Sequence, residues 1–146
     1  MKQYHYIWIP FLTLVCTQVI KFLFESCASK RWEWSRLFSG SGGMPSSHTA
    51  FTFSITTAIG LGEGFDSPLF AACLVFSFVV AYDAMGLRKE SGKQATMINH
   101  IIDELFGPNS KEAFVKLKEQ LGHNPVQVVA GAIFGMAMAF FFMWLK

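Results

Sequence analysis

Pro68-Leu-Phe-Ala-Ala-Cys-Leu-Val-Phe-Ser-Phe-Val-Val-Ala-Tyr-Asp-Ala-Met-Gly-Leu87 carries no charge until Asp83. A stretch of this length and character predicts a helix that crosses a bilayer, because hydrocarbon about 30 Å thick needs about 20 apolar residues whose backbone bonds are all internal. Composition extends this to the whole chain: of 146 residues 52% are hydrophobic and the mean hydropathy is +0.37, too oily for a soluble domain of this size. An all-α membrane protein is expected, one transmembrane domain over 1–146, with four transmembrane helices over about 4–24, 47–61, 68–87 and 126–145. A net charge of +2 is too small to argue for nucleic acid as a partner. Cys16, Cys27 and Cys73 have neither metal nor redox spacing and read as packing residues.

Upstream, the run from Tyr4 to Phe24 opens with Tyr4, Tyr6 and Trp8, as an interfacial belt would; it is too long for a signal peptide and no small-residue cleavage site follows. Near its far end Gln18 and Lys21 share a helix face, and a lysine there most simply snorkels to the headgroups. Ser26 to Ser41 interleaves Trp32 and Trp34 with Lys30, Arg31 and Arg36, which suits the membrane surface. Gly42-Gly-Met-Pro-Ser-Ser-His-Thr-Ala50 then joins a turn to a helix start. Two glycines free the backbone, Pro45 blocks a helix from running in, and Ser46 or Ser47 caps the helix that follows. Orphan N–H groups, the positive dipole end, two hydroxyls and His48 make this either an anion site or an ordinary capped turn. The span it opens is short and holds Thr49, Thr52, Ser54, Thr56 and Thr57, so it belongs among helices rather than against lipid.

Downstream, Asp83 at a span end is costly unless it has a partner or faces water, and Arg88, Lys89 and Lys93 follow it. Either a structural Asp-Arg pair or a catalytic role satisfies that. Over about 93–106 the period changes: Met97, Ile98, Ile101, Ile102 and Leu105 form an apolar stripe opposite Lys93, Thr96, His100, Asp103 and Glu104. Such a helix lies in the membrane plane or covers the mouth of the bundle, with His100 at the surface. Asn109 with Glu112 predicts a capping box and a second amphipathic helix over about 110–121. Gly122 ends it, Asn124 caps the next helix and Pro125 fits its first turn, which leaves His123 at another helix start. Gly131, Gly135 and Ala139 then allow close helix approach, within the bundle or in a homodimer.

The links after spans one and three carry nearly all the Lys and Arg, and the link between spans two and three carries only Glu63 and Asp66. The positive-inside rule therefore puts both basic links in the cytoplasm and both termini outside, with a bacterial plasma membrane as the default setting. Whatever the orientation, Lys21, the turn at 42–48, Asp83, Arg88, Lys93 and His123 share one membrane face. Two helix N-termini, three cations and two histidines at one depth describe a pocket for an anionic headgroup. Metal binding is the weaker reading, because the histidines lack a compact ligand motif and the cations would repel a metal ion.

Gly42-Gly-Met-Pro-Ser-Ser-His48, Tyr82-Asp-Ala-Met-Gly-Leu-Arg-Lys-Glu-Ser-Gly-Lys-Gln-Ala95, Asn99 and Leu121-Gly-His-Asn-Pro125, together with Gln18 and Lys21, resemble the divergent PAP2 family, related to acid phosphatases and vanadium-dependent haloperoxidases. The resemblance covers nearly the whole chain and implies a reduced PAP2-like bundle. In the parent superfamily a Pro-Ser-Gly-His motif binds phosphate and supplies the acid for the leaving group; Pro45 to His48 matches it except at Ser47. The parent's nucleophilic histidine follows an arginine by six positions, and here Arg88 leads instead to Gln94, which cannot form a phosphohistidine. The parent's first motif has no clean match, and Lys21 and Arg36 substitute for it by position only.

The activity this implies is hydrolysis of a lipid phosphomonoester or pyrophosphate, phosphatidate- or polyprenyl-phosphate-like, without cofactor or metal. Lys21, Ser46, Ser47, Arg88 and Lys93 would bind the phosphate; His123 would attack phosphorus, oriented by Asp83, and His48 would protonate the leaving alkoxide. His100 is the second candidate nucleophile. The alternatives are a lipid-phosphate-binding pseudoenzyme, favoured by Gln94, and a lipid-phosphate transporter, favoured by the polar second span; a haloperoxidase fits the membrane setting least.

Overall fold

The computed structural model describes residues 4–29, 43–107, 116–117 and 123–145, and among them there are helices and no strand. In chain order these are α1 (His5–Ser29), α2 (Ser47–Glu63), α3 (Pro68–Met85), α4 (Leu87–Phe106) and α5 (Pro125–Trp144). Three stretches are long and apolar enough to cross a membrane: His5–Phe24, one within Pro68–Phe106, and Pro125–Trp144. With 17 residues, α2 falls just short of that length, and it is the hub of the bundle, packed against α5 most extensively and against α1 and α3 besides.

The hydroxyls of α2 explain how so polar a helix sits at the centre. Thr49, Thr52, Ser54, Thr56 and Thr57 are all buried. Thr52 donates to the Thr49 carbonyl at 3.3 Å, Ser54 to Phe51 at 2.8 Å, Thr56 to Thr52 at 2.9 Å and Thr57 to Phe53 at 2.8 Å. Bonding back to their own helix removes most of the penalty of burying them. Thr56 Oγ1 also lies 2.8 Å from Ser77 Oγ and ties α2 to α3.

Contacts along α2 fix the direction of each neighbour. Tyr6 donates to Glu63 Oε1 at 2.8 Å and Ile9 packs on Ala58, so α1 runs antiparallel to α2. The Thr56–Ser77 pair and the edge-to-face pair Phe65–Phe70 make α3 antiparallel as well. In contrast, α5 runs parallel to α2: Gly131 lies against Ser46, Gly135 against Ala50, and Ala139 clusters with Ala58. A Cβ on Gly131 would stand 2.6 Å from the Ser46 carbonyl oxygen, and one on Gly135 2.3 Å from that of Ala50. The small-residue stripe is thus used inside the bundle. Outward-facing Trp8, Val15, Phe76, Val79, Ile133 and Phe140 form the apolar belt of a membrane protein.

Several boundaries differ from the sequence expectation. Helix α1 runs on to Ser29, and α4 starts at Leu87, with only Gly86 between it and the end of α3, rather than at Lys93. Cys27 is exposed and does not pack, whereas Cys16 and Cys73 are half-buried; all three are free thiols. The Trp32–Arg36 segment and the helix expected over 110–121 lie outside the described residues, except that Lys116 and Leu117 carry no regular structure.

Candidate functional site

Gly43 takes a φ of +83°, which favours glycine, and the Met44–Pro45 peptide is cis. The chain then enters α2 with Ser46 at the N-cap position. Ser46 is fully enclosed: its N–H donates to the Gln127 carbonyl at 3.0 Å and its hydroxyl accepts from Thr49 Oγ1 at 3.1 Å, while no side-chain cap bond forms. The expected cap is therefore a tether between the starts of α2 and α5. Ser47 is buried beside it, and His48 is exposed.

A second tether holds His123. Its backbone N–H donates to the Ala84 carbonyl at 3.0 Å, next to the half-buried Asp83, and its side chain is enclosed. One residue later Asn124 caps α5 with Pro125 in the first turn, as expected, and the Gln127 side chain accepts from the Asn124 N–H at 3.0 Å. Gln127 therefore serves the Ser46 tether through its carbonyl and the α5 start through its side chain, the second of which the sequence signals through the Asn-Pro-Val-Gln spacing of a capping box.

Lys21 is only 6% exposed, so it is enclosed rather than snorkelled. It lies fifteen residues along α1 from Tyr6, and Ser47 lies sixteen residues back along antiparallel α2 from Glu63, the residue Tyr6 bonds. At about 1.5 Å per residue the two stand at one level. The same register, counted seven residues each way from the Thr56–Ser77 pair, puts Ala84 level with Thr49. Lys21, Ser46, Ser47, His48, Asp83 and His123 thus gather at one end of the bundle.

The remaining candidates stand apart or beyond description. Arg88 belongs to the first turn of α4 at this same end, and its side chain is outside the described residues. Lys93 is exposed, with its Nζ 2.6 Å from Glu90 Oε1, so it is not brought into the enclosed group. His100 is at the surface beside Glu104, as expected, and Gln94 is exposed. Among the described residues no three His, Cys, Asp or Glu side chains come together in a way that could hold a metal ion.

Asn99 has a role that its place in the sequence does not reveal. Buried at 3% exposure, it donates through Nδ2 to the Leu117 carbonyl at 2.8 Å and accepts through Oδ1 from the Leu117 N–H at 2.9 Å. Lys116 adds an ion pair to Asp103 at 2.6 Å. Asn99→Ala should therefore release this backbone from α4, and hydrogen exchange at the Leu117 amide should speed up by about tenfold or more, since each lost buried bond is worth about 1 kcal/mol. Unchanged exchange would show that the clamp holds nothing.

An all-helical membrane protein with a lysine, a helix start and two histidines at one end is the class that fold and site define. The chain belongs to the divergent PAP2 family, whose sequence profile matches residues 2–138. It is also similar to the uncharacterized membrane protein YuiD of Bacillus subtilis (strain 168), at 36% identity over 89% of this chain and 90% of that one. No solved structure matches it.

Proposed function

We propose that the protein is a membrane lipid phosphatase that takes the phosphate of a lipid phosphomonoester or pyrophosphate at the enclosed end of its bundle. The burial of Lys21 carries this reading. An ammonium enclosed at the same end as the starts of α2 and α5 concentrates positive potential where an anionic headgroup would complement it. Lys21 and Arg88 neutralise the phosphoryl oxygens, with the Ser47 hydroxyl and the first amides of α2 beside them, and Ser46 anchors that turn from below. Such preorganised charge supplies most of the rate in phosphoryl transfer.

His123 attacks phosphorus, forming a P–N bond as the P–O bond to the lipid breaks, and His48 gives its proton to the departing alkoxide. Water then attacks the phosphohistidine, passes a proton to His48 and releases phosphate. Asp83, adjacent to the carbonyl that holds His123, orients the imidazole. Lys93 stays outside because Glu90 already neutralises it in water. We place the site on the cytoplasmic face of a bacterial plasma membrane, with both termini outside, from the basic links.

Gln94 favours a second reading, a pseudoenzyme that binds the headgroup without turnover, since an amide stands where the parent enzymes have their nucleophile. A transporter is less supported, because the α2 hydroxyls that suggested a polar path are spent on their own helix. The test is phosphate release from phosphatidate, lysophosphatidate and polyprenyl phosphate by the purified protein. His48→Ala and His123→Ala should each lower release by about 10²-fold or more. An acid-labile phosphoprotein should form in the parent protein and be lost in His123→Ala. Binding without release in every case would select the pseudoenzyme, and full release by His123→Ala would remove that residue from the mechanism.

A further inference from the structure

Three different surfaces run along α4. Gly92, Ala95 and Asn99, spaced three and four residues apart, are buried. On one flank of that strip Ile98, Ile101 and Leu105 are exposed, at 44%, 51% and 72%, and Met97 stands near them. On the other flank lie Lys93, His100, Asp103 and Glu104, which satisfy one another and their neighbours through the pairs Lys93–Glu90, His100–Glu104 and Lys116–Asp103. The Asn99 clamp on Leu117 fixes the roll of the helix, so the apolar flank has one definite direction.

We propose that α4 lies on the membrane surface, with the Ile98–Ile101–Leu105 flank seated at the boundary between headgroups and acyl chains and the charged flank in water. A protein side, a lipid side and a water side are what a helix at that boundary needs. Its length of 20 residues, about 30 Å, would span the bilayer, but Glu90, Lys93, Asp103 and Glu104 would make crossing too costly. Among the described helices α4 touches only α3, so it does not roof the mouth of the bundle, which would require contact with α1, α2 or α5. The lipid-facing surface of α3 also leads straight to it: an apolar groove lined by Val75, Phe78, Val79, Tyr82 and Met85 ends two residues before α4 begins. Gly86, the one residue between α3 and α4, has φ −95° and ψ −84°, away from regular helical values, and is where the spanning helix would turn into the surface helix. The seating sets the depth of the Ala84–His123 tether at the headgroups, and it holds whether or not the site turns over a phosphate.

The test uses full-length protein in phosphatidylcholine–phosphatidylglycerol vesicles, with Cys16, Cys27 and Cys73 replaced by alanine and single cysteines at Ile101, Leu105, His100 or Glu104 carrying a nitroxide. Power saturation should show the labels at 101 and 105 relaxed by oxygen several-fold more than by a water-soluble nickel chelate, and the reverse at 100 and 104. An acrylodan label at the same positions provides a second measurement, blue-shifted at 101 and 105 only. Nickel access at all four positions would overturn the proposal by leaving α4 in water. Shielding of 101 and 105 from both reagents would overturn it in favour of a protein cover, the bundle mouth or a second copy of the chain.

Discussion

Gly135→Leu is expected to abolish the folded bundle in detergent, and Gly135→Ala to lower its unfolding midpoint clearly. The reason is the nature of the obstacle. A Cβ at 135 would stand 2.3 Å from the Ala50 carbonyl oxygen and 2.9 Å from its Cα, and backbone cannot swing aside as a side-chain tip can. Helix α5 must then move away from α2, the most extensive helix pair in the protein. Between helices in lipid there is no hydrophobic drive to offset that loss, because association depends on close van der Waals contact. Overpacking by one methyl costs about 1–3 kcal/mol in a tight site, and separation would also stretch the Ser46–Gln127 bond that joins the same helices. Ile133→Ala, two residues away on the 59%-exposed lipid side, should shift stability by no more than about 0.5 kcal/mol. Helical circular dichroism during denaturation in mixed detergent would check both. A Gly135→Ala protein as stable as its parent would mean that α2 and α5 are not in this contact.

The same glycine marks how far the fold can be read from the chain. Spacing alone says that Gly131, Gly135 and Ala139 lie on one helix face and permit close approach, but not whether a neighbour within the bundle or a second chain fills the gap. Only the register of α5 against Ser46, Ala50 and Ala58 decides it. The four threonines and Ser54 of α2 were legible as a sign of burial, since five hydroxyls facing lipid would each leave a polar group unpaired. Their bonds to their own carbonyls were not legible, because Ser and Thr bond back to their own helix or outward with the same sequence pattern. Helix ends were readable where a side chain enforces them, as Asn124 and Pro125 do, and less so at Ser29 and Leu87, where no cap residue marks the boundary.

For the site, the order of the crossings was enough to predict that Lys21, the 42–48 turn, Asp83 and His123 would share one end. That inference needs only the number of crossings between them and no distances. What it cannot supply is depth and facing. Lys93 and Lys21 are both lysines near a span end in the sequence, yet one is exposed beside Glu90 and the other enclosed. Ser46 looked like a residue whose hydroxyl caps α2 and is instead a backbone tether, a distinction set by Gln127, 81 residues further along the chain.

Lys21→Met should separate function from stability. The substitution keeps the length and apolar stem of the side chain and removes only the charge, so packing changes little. An enclosed ammonium engages a partner inside the protein, and removing one member of a buried pair leaves the other uncompensated. The unfolding midpoint of Lys21→Met is therefore expected to fall, and release is compared at equal amounts of folded protein. Its effect on a phosphate ligand should be larger than that loss of stability explains. A buried charge acts through a low-dielectric surrounding and is little screened by salt, so its loss should reduce phosphate release by about 10²–10³-fold, or about 3–4 kcal/mol of transition-state stabilisation. Lys116→Met, which removes an exposed lysine paired with Asp103, should leave release within about twofold. Release unchanged with a lower midpoint would remove Lys21 from the site and with it the main reason to place an anion there.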